Sequence, residues 1–192
     1  QRDGIPRESW LTEFGWDMLA GPKVSPFEQA VYLARGWMLA LAAGTDKCFW
    51  FFDYDAPEPK QFFDGCGVLA ADGSPKLSLC ALAAMSSIMP DPEFVGQITA
   101  GPDTAGCVFG NGAELVASLW TIQGATGPQA RFQARELRDY LGNRLDGLTV
   151  RLSRAPVYAV GLDPDGPWAR QASYALLSPL LVGVVAGDPV EP

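Results

Sequence analysis

The chain has 192 residues, with 22 Asp and Glu against 14 Lys and Arg, and it contains no histidine. A net charge of −8 offers no attraction to phosphate backbones or anionic lipid surfaces, so neither nucleic acid nor a membrane is expected as a partner. The lack of histidine excludes Ser-His-Asp and Cys-His nucleophile systems and histidine-ligated metals within this chain. We expect no cofactor and no metal, and any acid–base chemistry has to use carboxylates, Lys, Tyr or Cys.

The first predicted element is a short strand. Residues 9–14 (Ser-Trp-Leu-Thr-Glu-Phe) are rich in aromatic and β-forming types, and Gly15 follows them, which is typical of a buried strand. The six residues at the start of the sequence have no initiator Met, no signal region and no helix cap. They indicate a chain that starts in mid-protein, as a fragment or a processed product.

A helix with an unusually complete start signal comes next. Ser25 stands at the N-cap, Pro26 at the first helical position and Glu28 at the third, which makes a capping box. Apolar residues recur at helical spacing from Phe27 onwards, and Gly44 is the predicted stop.

A second strand and a second helix complete the first half. Residues 47–52 (Lys-Cys-Phe-Trp-Phe-Phe) are too short and too aromatic for a helix, and their distance from the first strand suits one βαβ unit. Ser74 and Pro75 repeat the cap-then-proline pattern before a helix that stops ahead of Pro90. This alternation predicts a parallel sheet covered by helices.

Beyond Pro92 the pattern changes to short β-like runs separated by turn clusters, with no long helical period. The runs are residues 107–109, 114–120, 148–153 and 156–162. They predict an all-β region, expected to be a small sandwich. The apolar stretch 174–186 is shorter than the roughly 20 residues of a membrane span and is interrupted by Ser, Pro and Gly.

The four cysteines are far apart and include no Cys-x-x-Cys pair, so a metal site is only weakly indicated. They are Cys48, Cys66, Cys80 and Cys107. Buried free thiols are the expected state, and each of the three possible pairing schemes stays open.

Glu13 is the main candidate for chemistry. It lies near the C-terminal end of a strand otherwise made of Trp, Leu, Thr and Phe, where a carboxylate is expected to be partly desolvated and to need partners or a shifted pKa. A structural Glu paired with an Arg or bound to a backbone amide is the alternative. In an α/β barrel the C-terminal strand ends face the active site, which favours a functional role.

Trp50 is the second candidate, because an indole at the mouth of a sheet can stack on a sugar ring and offer its N–H to a hydroxyl. Side chains alternate along the strand, so Trp50 is expected to face one way and Phe49 and Phe51 to face the helices or the core. A buried core Trp is the alternative. Trp16 has the same two interpretations, and Asp53 either binds hydroxyls or solvates its loop.

Several segments together resemble the clan A glycoside hydrolases, which are retaining enzymes built on a (β/α)₈ barrel. Residues 10–16 (Trp-Leu-Thr-Glu-Phe-Gly-Trp) resemble the nucleophile motif of their seventh strand, and residues 49–53 resemble the eighth strand with its aromatic platform. Residues 67–76 resemble the loop before their last helix, and residues 137–158 are similar to the β-sandwich that follows the barrel in several such families. The order and spacing match across most of the chain.

The resemblance implies an α/β plus all-β fold. Residues 1–92 would form the last two βα units of a (β/α)₈ TIM barrel, and residues 93–192 would form a small β-sandwich. It also implies a double displacement on an oligosaccharide, polysaccharide or other glycoside, with Glu13 as the nucleophile. Substrate contacts are then expected from Trp50, Trp16 and Asp53.

The same resemblance places the acid/base Glu at the end of the fourth strand, which this chain does not include. Two barrel strands alone would expose open edges and an apolar face, so we expect an N-terminal companion chain that supplies strands one to six. The alternative is a non-catalytic carbohydrate-binding or structural module, and an acidic interaction domain is a third, weaker hypothesis. Polysaccharide-degrading enzymes of this kind are often exported, so a secreted or periplasmic location is the expectation.

Overall fold

The computed structural model describes residues 7–20, 23–110 and 114–175, which form a mixed α/β fold. A parallel pair of strands with two helices comes first, and antiparallel strands follow. Residues 1–6 and most of the apolar stretch 174–186 lie outside the described ranges.

The first half contains the predicted βαβ unit. Strand β1 (Trp10–Phe14) runs parallel to β2 (Lys47–Trp50), and helix α1 (Pro26–Ala42) connects them. Trp10 is opposite Lys47, and the register shifts by one residue between Leu11 and Phe14.

The capping box of α1 is present as predicted. The Glu28 backbone N–H donates to Ser25 Oγ at 3.2 Å, and the Ser25 N–H donates to Glu28 Oε2 at 2.9 Å. Gly44 follows the helix with a φ of +80°, a conformation that glycine adopts without steric cost. The start and the stop of α1 are therefore set by local chemistry.

Helix α2 (Leu77–Ile88) begins later than the sequence predicts, and Ser74 does not cap it. The Ser74 hydroxyl instead donates to Asp72 Oδ1 at 2.6 Å within a turn. Lys76 occupies the N-cap position without a capping hydrogen bond, because an ammonium group has no acceptor for a backbone N–H. The ammonium group donates to Asp55 instead. The cap-then-proline prediction was wrong here because the turn satisfies the serine locally.

The described residues of the second half form antiparallel strands and one further helix. The elements are β3 (Glu93–Ile98), β4 (Thr104–Gly110), β5 (Leu115–Thr121), β6 (Thr126–Arg131), β7 (Ala134–Arg138), β8 (Arg144–Leu145), β9 (Thr149–Ser153), β10 (Val157–Leu162) and α3 (Pro167–Ala175). Six strands form one sheet in the order β3-β4-β5-β10-β7-β8, and β6 pairs with β9. The prediction of an all-β region missed α3, which packs close against β3 at Gly96, where any side chain would meet the backbone of Ala172.

The six-stranded sheet is covered on both faces. One face packs against α1 and α2 in a single apolar cluster, made of Ala34, Met38, Met85, Ile88, Met89, Cys107, Phe109, Val116, Trp120, Tyr158 and Val160. The other face packs against β6, β9 and α3 in a second cluster that includes Val108, Leu119, Phe132, Leu152, Ala169 and Ala172. The division at residues 92 and 93 stays a prediction, and the helices before it and the sheet after it share one core.

Candidate active site

The two-stranded parallel sheet has a helix-facing side and an open side. Leu11, Phe14, Cys48 and Trp50 are half-buried, and the Phe14 ring lies 5.5 Å from the Trp37 ring of α1. The residues between and beside them are exposed, namely Trp10, Thr12, Glu13, Lys47 and Phe49. The register shift places two consecutive residues of β1, Thr12 and Glu13, among the exposed set.

Glu13 lies one residue before the C-terminal end of β1 and is exposed. The partial desolvation expected from the sequence is therefore absent in this chain. Within residues 7–20, 23–110 and 114–175, no hydrogen bond or ion pair to the Glu13 carboxylate is present. The structure presents this carboxylate at the strand end, open to solvent.

Trp50 faces the helices, contrary to the side expected for it. It is opposite Phe14 in the register, and laterally paired residues of a sheet point to the same face. Its ring lies 5.3 Å from that of Phe14, and its indole N–H donates to the Cys66 carbonyl at 2.7 Å. Phe49, expected to face the helices or the core, is 46% exposed. The assignment of faces was wrong because the register with β1 decides it.

Trp16 belongs to the same aromatic cluster beneath α1. Its ring lies 5.2 Å from that of Tyr32 and 5.9 Å from that of Trp50. Any side chain at Gly36 would lie within 3.3 Å of the Trp16 ring, so the helix backbone sits directly on the indole. Of the two interpretations of Trp16 and Trp50, this packing favours the core.

Asp53 and Asp55 follow β2 but differ in environment. Asp53 is exposed, and its Oδ1 accepts the N–H of Tyr54 at 3.1 Å. Asp55 is buried and binds Lys76 Nζ through both oxygens at 2.8 and 2.9 Å. Lys76 is the last residue of segment 67–76, which resembles the loop before the last helix of the barrel. Its place in that segment was the sequence signal that could have indicated the ion pair.

Asp17 is a buried carboxylate that the sequence analysis did not single out. Only 1% of it is exposed, and it accepts four backbone N–H groups: those of Leu19 (2.6 Å), Ala20 (2.7 Å), Phe63 (2.6 Å) and Gly65 (3.3 Å). Burial alone raises its pKa, but the four hydrogen bonds together outweigh burial and hold the pKa below the ordinary aspartate value. Asp17 thus joins the loop after β1 to the loop after β2.

Gly65 is the central residue of the second loop. Its carbonyl accepts from the Met18 N–H at 3.2 Å, from Gln29 Nε2 at 3.1 Å and from Lys76 Nζ at 3.2 Å. Gln29 is fully buried on α1 and also accepts from the Ser78 hydroxyl of α2 at 3.0 Å. One carbonyl therefore connects both loops to both helices.

The loops after β2 expose several phenyl rings near the strand ends. Phe51 stacks on Phe52 with ring centroids 3.7 Å apart, across a peptide bond that is cis. Phe63 lies 5.4 Å from Phe51 and 4.1 Å from Phe62, and both Phe62 and Phe63 are about half exposed. These rings form an apolar surface beside the end of the sheet.

The described part of the chain has no group of three side chains arranged to hold a metal ion. None of the helices in it has the length and apolarity needed to cross a membrane.

Solved structures with this fold include glycoside hydrolases, and they support a relation of the chain to that class. A family 39 glycoside hydrolase from the gut symbiont Bacteroides cellulosilyticus WH2 matches 84% of the chain at 27% identity, with a TM-score of 0.69. A family 30 endoxylanase from Clostridium papyrosolvens C71 matches 82% at 14% identity and a TM-score of 0.54. A family 30 subfamily 8 xylanase from Clostridium acetobutylicum matches 81% at 9% identity and 0.52.

The two family 30 likenesses show the fold alone. The chain spans 35%, 42% and 46% of the three matched chains, in the order given above. No protein-family model and no curated protein matches the sequence.

Proposed function

We propose that this chain is the C-terminal part of a retaining glycoside hydrolase and that Glu13 is its catalytic nucleophile. The observation that carries the proposal is the match with the family 39 glycoside hydrolase, in which 27% identity over 84% of the chain goes with a TM-score of 0.69. The resemblance of residues 10–16 to a strand-seven nucleophile motif agrees with that match.

The position of Glu13 supports this role. It lies at the C-terminal end of a parallel strand, on the side turned away from α1, and parallel barrels build their active sites at these strand ends. Its carboxylate is exposed, so a substrate can approach it. A structural ion pair, the alternative considered from the sequence, has no support among the described contacts.

The remainder of the barrel is proposed to come from an N-terminal portion or companion chain. A two-stranded parallel sheet is marginal by itself, and this one exposes Trp10 and Phe49 on its open side. Six further strands would pair its edges and cover that side, completing a (β/α)₈ barrel. The proposed acid/base Glu belongs to that portion.

The proposed reaction is a double displacement. A Glu13 oxygen attacks the anomeric carbon while the acid/base carboxyl, about 5–5.5 Å away, protonates the leaving oxygen, so that the glycosidic C–O bond breaks and a glycosyl ester forms. The deprotonated acid/base then takes a proton from water, the hydroxide attacks the anomeric carbon, and Glu13 leaves as a carboxylate. Two inversions give net retention of configuration.

The proposed substrate is an oligosaccharide, a polysaccharide or another glycoside. Asp53 is exposed and available to bind a hydroxyl. Contacts from Trp50 and Trp16 stay proposals, and the Trp50 N–H already donates to the Cys66 carbonyl.

The test is Glu13→Gln in the protein that includes the rest of the barrel, assayed on a panel of aryl glycosides. We expect kcat to fall by at least about 10³-fold, as when a covalent nucleophile is removed, with folding unchanged. Glu93→Gln is the matched control, because Glu93 is also an exposed glutamate on a strand. Trapping with a 2-deoxy-2-fluoro glycoside should label Glu13.

Unchanged turnover in Glu13→Gln contradicts the proposal. Saccharide binding without hydrolysis by the wild-type protein would favour the carbohydrate-binding module instead. Product inversion seen by NMR would contradict the retaining mechanism.

A further inference from the structure

We infer that Asp17 is a positioning residue for the nucleophile, acting through the loops that leave β1 and β2. This inference rests on the proposed function, because it assigns Asp17 a role in the reaction of Glu13. Asp17 itself is buried and does not face the open side of the sheet.

The geometry of Asp17 is that of an anchor between two loops. One carboxylate oxygen accepts the N–H groups of Leu19 and Ala20 in its own loop, and the other accepts those of Phe63 and Gly65, up to 48 positions away in the sequence. Hydrogen bonds to a charged acceptor are stronger than neutral ones, and here the bond to Gly65 is buried and the other three are partly buried.

The anchor continues to the strand ends through successive contacts. Gly65 precedes Cys66, whose carbonyl receives the Trp50 indole N–H, and the Trp50 ring packs on Phe14, the neighbour of Glu13. In the other direction, Gln29 Nε2 donates to the Trp16 carbonyl at 2.8 Å and to the Gly65 carbonyl. The backbone just beyond Glu13 is therefore held from both loops.

Close packing leaves little freedom in this arrangement. A Cβ on Gly65 would lie 2.8 Å from Asp17 Oδ1 and 2.6 Å from the Leu19 nitrogen. Such distances mean that the loops meet backbone to backbone, with glycine required at the contact. A change in the carboxylate is thus transmitted as a displacement of the strand exit.

Nucleophilic attack is sensitive to such displacements. Catalytic groups have to be held within about 0.5 Å of their productive geometry, and a misplacement of 1 Å costs about 10²-fold in rate. β1 has only five residues, so the loop anchor adds to the restraint that the Phe51 N–H gives its C-terminal end by donating to the Phe14 carbonyl at 3.0 Å.

The test is Asp17→Asn in the complete enzyme. The Asn oxygen still accepts two of the four N–H groups, but the NH₂ group faces the other two as a donor. We expect kcat to fall about 10- to 100-fold with a smaller change in KM. The control is Asp72→Asn, which alters an exposed carboxylate that also accepts a backbone N–H, that of Ser74 at 2.9 Å.

Partial unfolding would lower the apparent kcat without any positioning role. Active sites are therefore counted by titration with a 2-deoxy-2-fluoro glycoside, and the maximal rate is divided by that count to give the kcat per titrated site, called the titrated kcat below. Gln29→Met is the second variant, since it keeps Asp17 but removes the donors to both loops, and it is expected to lower the titrated kcat in the same direction. Gln29→Met provides the test of the inference if the Asp17→Asn variant does not fold.

The outcomes separate the two hypotheses. An active wild type, an inactive Glu13→Gln variant and a titrated kcat within twofold of wild type in the folded loop variants would overturn the role of Asp17 alone. An inactive wild type, or an active Glu13→Gln variant, would overturn the proposed function and this inference with it. A loss of titrated kcat in the loop variants, with Asp72→Asn unaffected, supports the inference.

Discussion

Replacing Lys76 by Met tests the buried ion pair that joins the loop after β2 to the start of α2. The Lys76 ammonium lies 2.8 and 2.9 Å from the two Asp55 oxygens, and the side chains are only 9% and 7% exposed. Methionine keeps most of the volume but leaves the Asp55 carboxylate buried without its cation. It also removes the donor to the Gly65 carbonyl.

The expected loss in free energy of unfolding is about 3–5 kcal/mol, the usual cost of breaking a buried pair by removing one partner. The loss comes from the stranded carboxylate, so Asp55→Asn in the same protein should restore part of it. Lys60→Met is the matched control. The Lys60–Glu58 pair has a similar distance of 2.9 Å, but its side chains are 77% and 80% exposed, and exposed pairs contribute little.

The assay is urea unfolding of the complete protein, followed by tryptophan fluorescence, with the three variants and the wild type measured together. The free energy of unfolding is expected to fall strongly in Lys76→Met, less in the double variant and almost not at all in Lys60→Met. A Lys76→Met loss no greater than that of Lys60→Met would refute this expectation, because burial would then have no effect on the energy of the pair.

Two further predictions concern titration. Asp17 has a lowered pKa, so its stabilising effect is complete above the ordinary aspartate pKa of about 3.9 and is lost as the pH falls through its folded-state pKa. The difference in free energy of unfolding between wild type and Asp17→Asn should therefore become smaller from pH 6 to pH 3. A difference that stays constant over this range would contradict the prediction. The pKa of Asp64 is lowered chiefly by backbone hydrogen bonds, and the Asp17 charge acts on it in the opposite direction as a smaller effect, so most of the Asp64 titration is common to both proteins. At pH 8, Ellman's reagent should react quickly with the exposed Cys80. Burial raises the pKa of Cys66 to about 11 and that of Cys107 to about 12, so both thiols should stay protected until the protein unfolds. Equal reaction rates of the three thiols in the native protein would contradict this.

Local signals in the sequence predicted the first half of the fold well. The capping box at Ser25, the stop at Gly44 and the spacing of two strands around one helix each depend on neighbouring residues. The same is true of the four β-like runs of the second half, each of which overlaps a strand, although three of them start one residue before it. Strand β6 escaped prediction because it contains Gly127 and Pro128, which a strand of a two-stranded sheet tolerates.

The features that the sequence did not predict depend on distant contacts. The side of the sheet that Trp50 faces follows from its register with Phe14, and no pattern within β2 contains that information. Two of the four hydrogen bonds to Asp17 come from the loop containing Phe63 and Gly65, which is distant in the sequence. For Glu13 the resemblance supplies the proposed role, which stays a prediction, and the structure places the residue at an exposed strand end.

The apolar cluster between the helices and the six-stranded sheet limits how this protein can be recombined with others. Ala34 and Met38 of α1 pack in the same cluster as Trp120 and Tyr158 of the sheet, and Arg35 lies over the Trp120 ring at 5.5 Å. A chimera joined at residue 92 would keep half of that core and lose the other half. An exchange of the sheet between proteins has to include the matching faces of α1 and α2, so the unit to be exchanged is larger than the sheet itself.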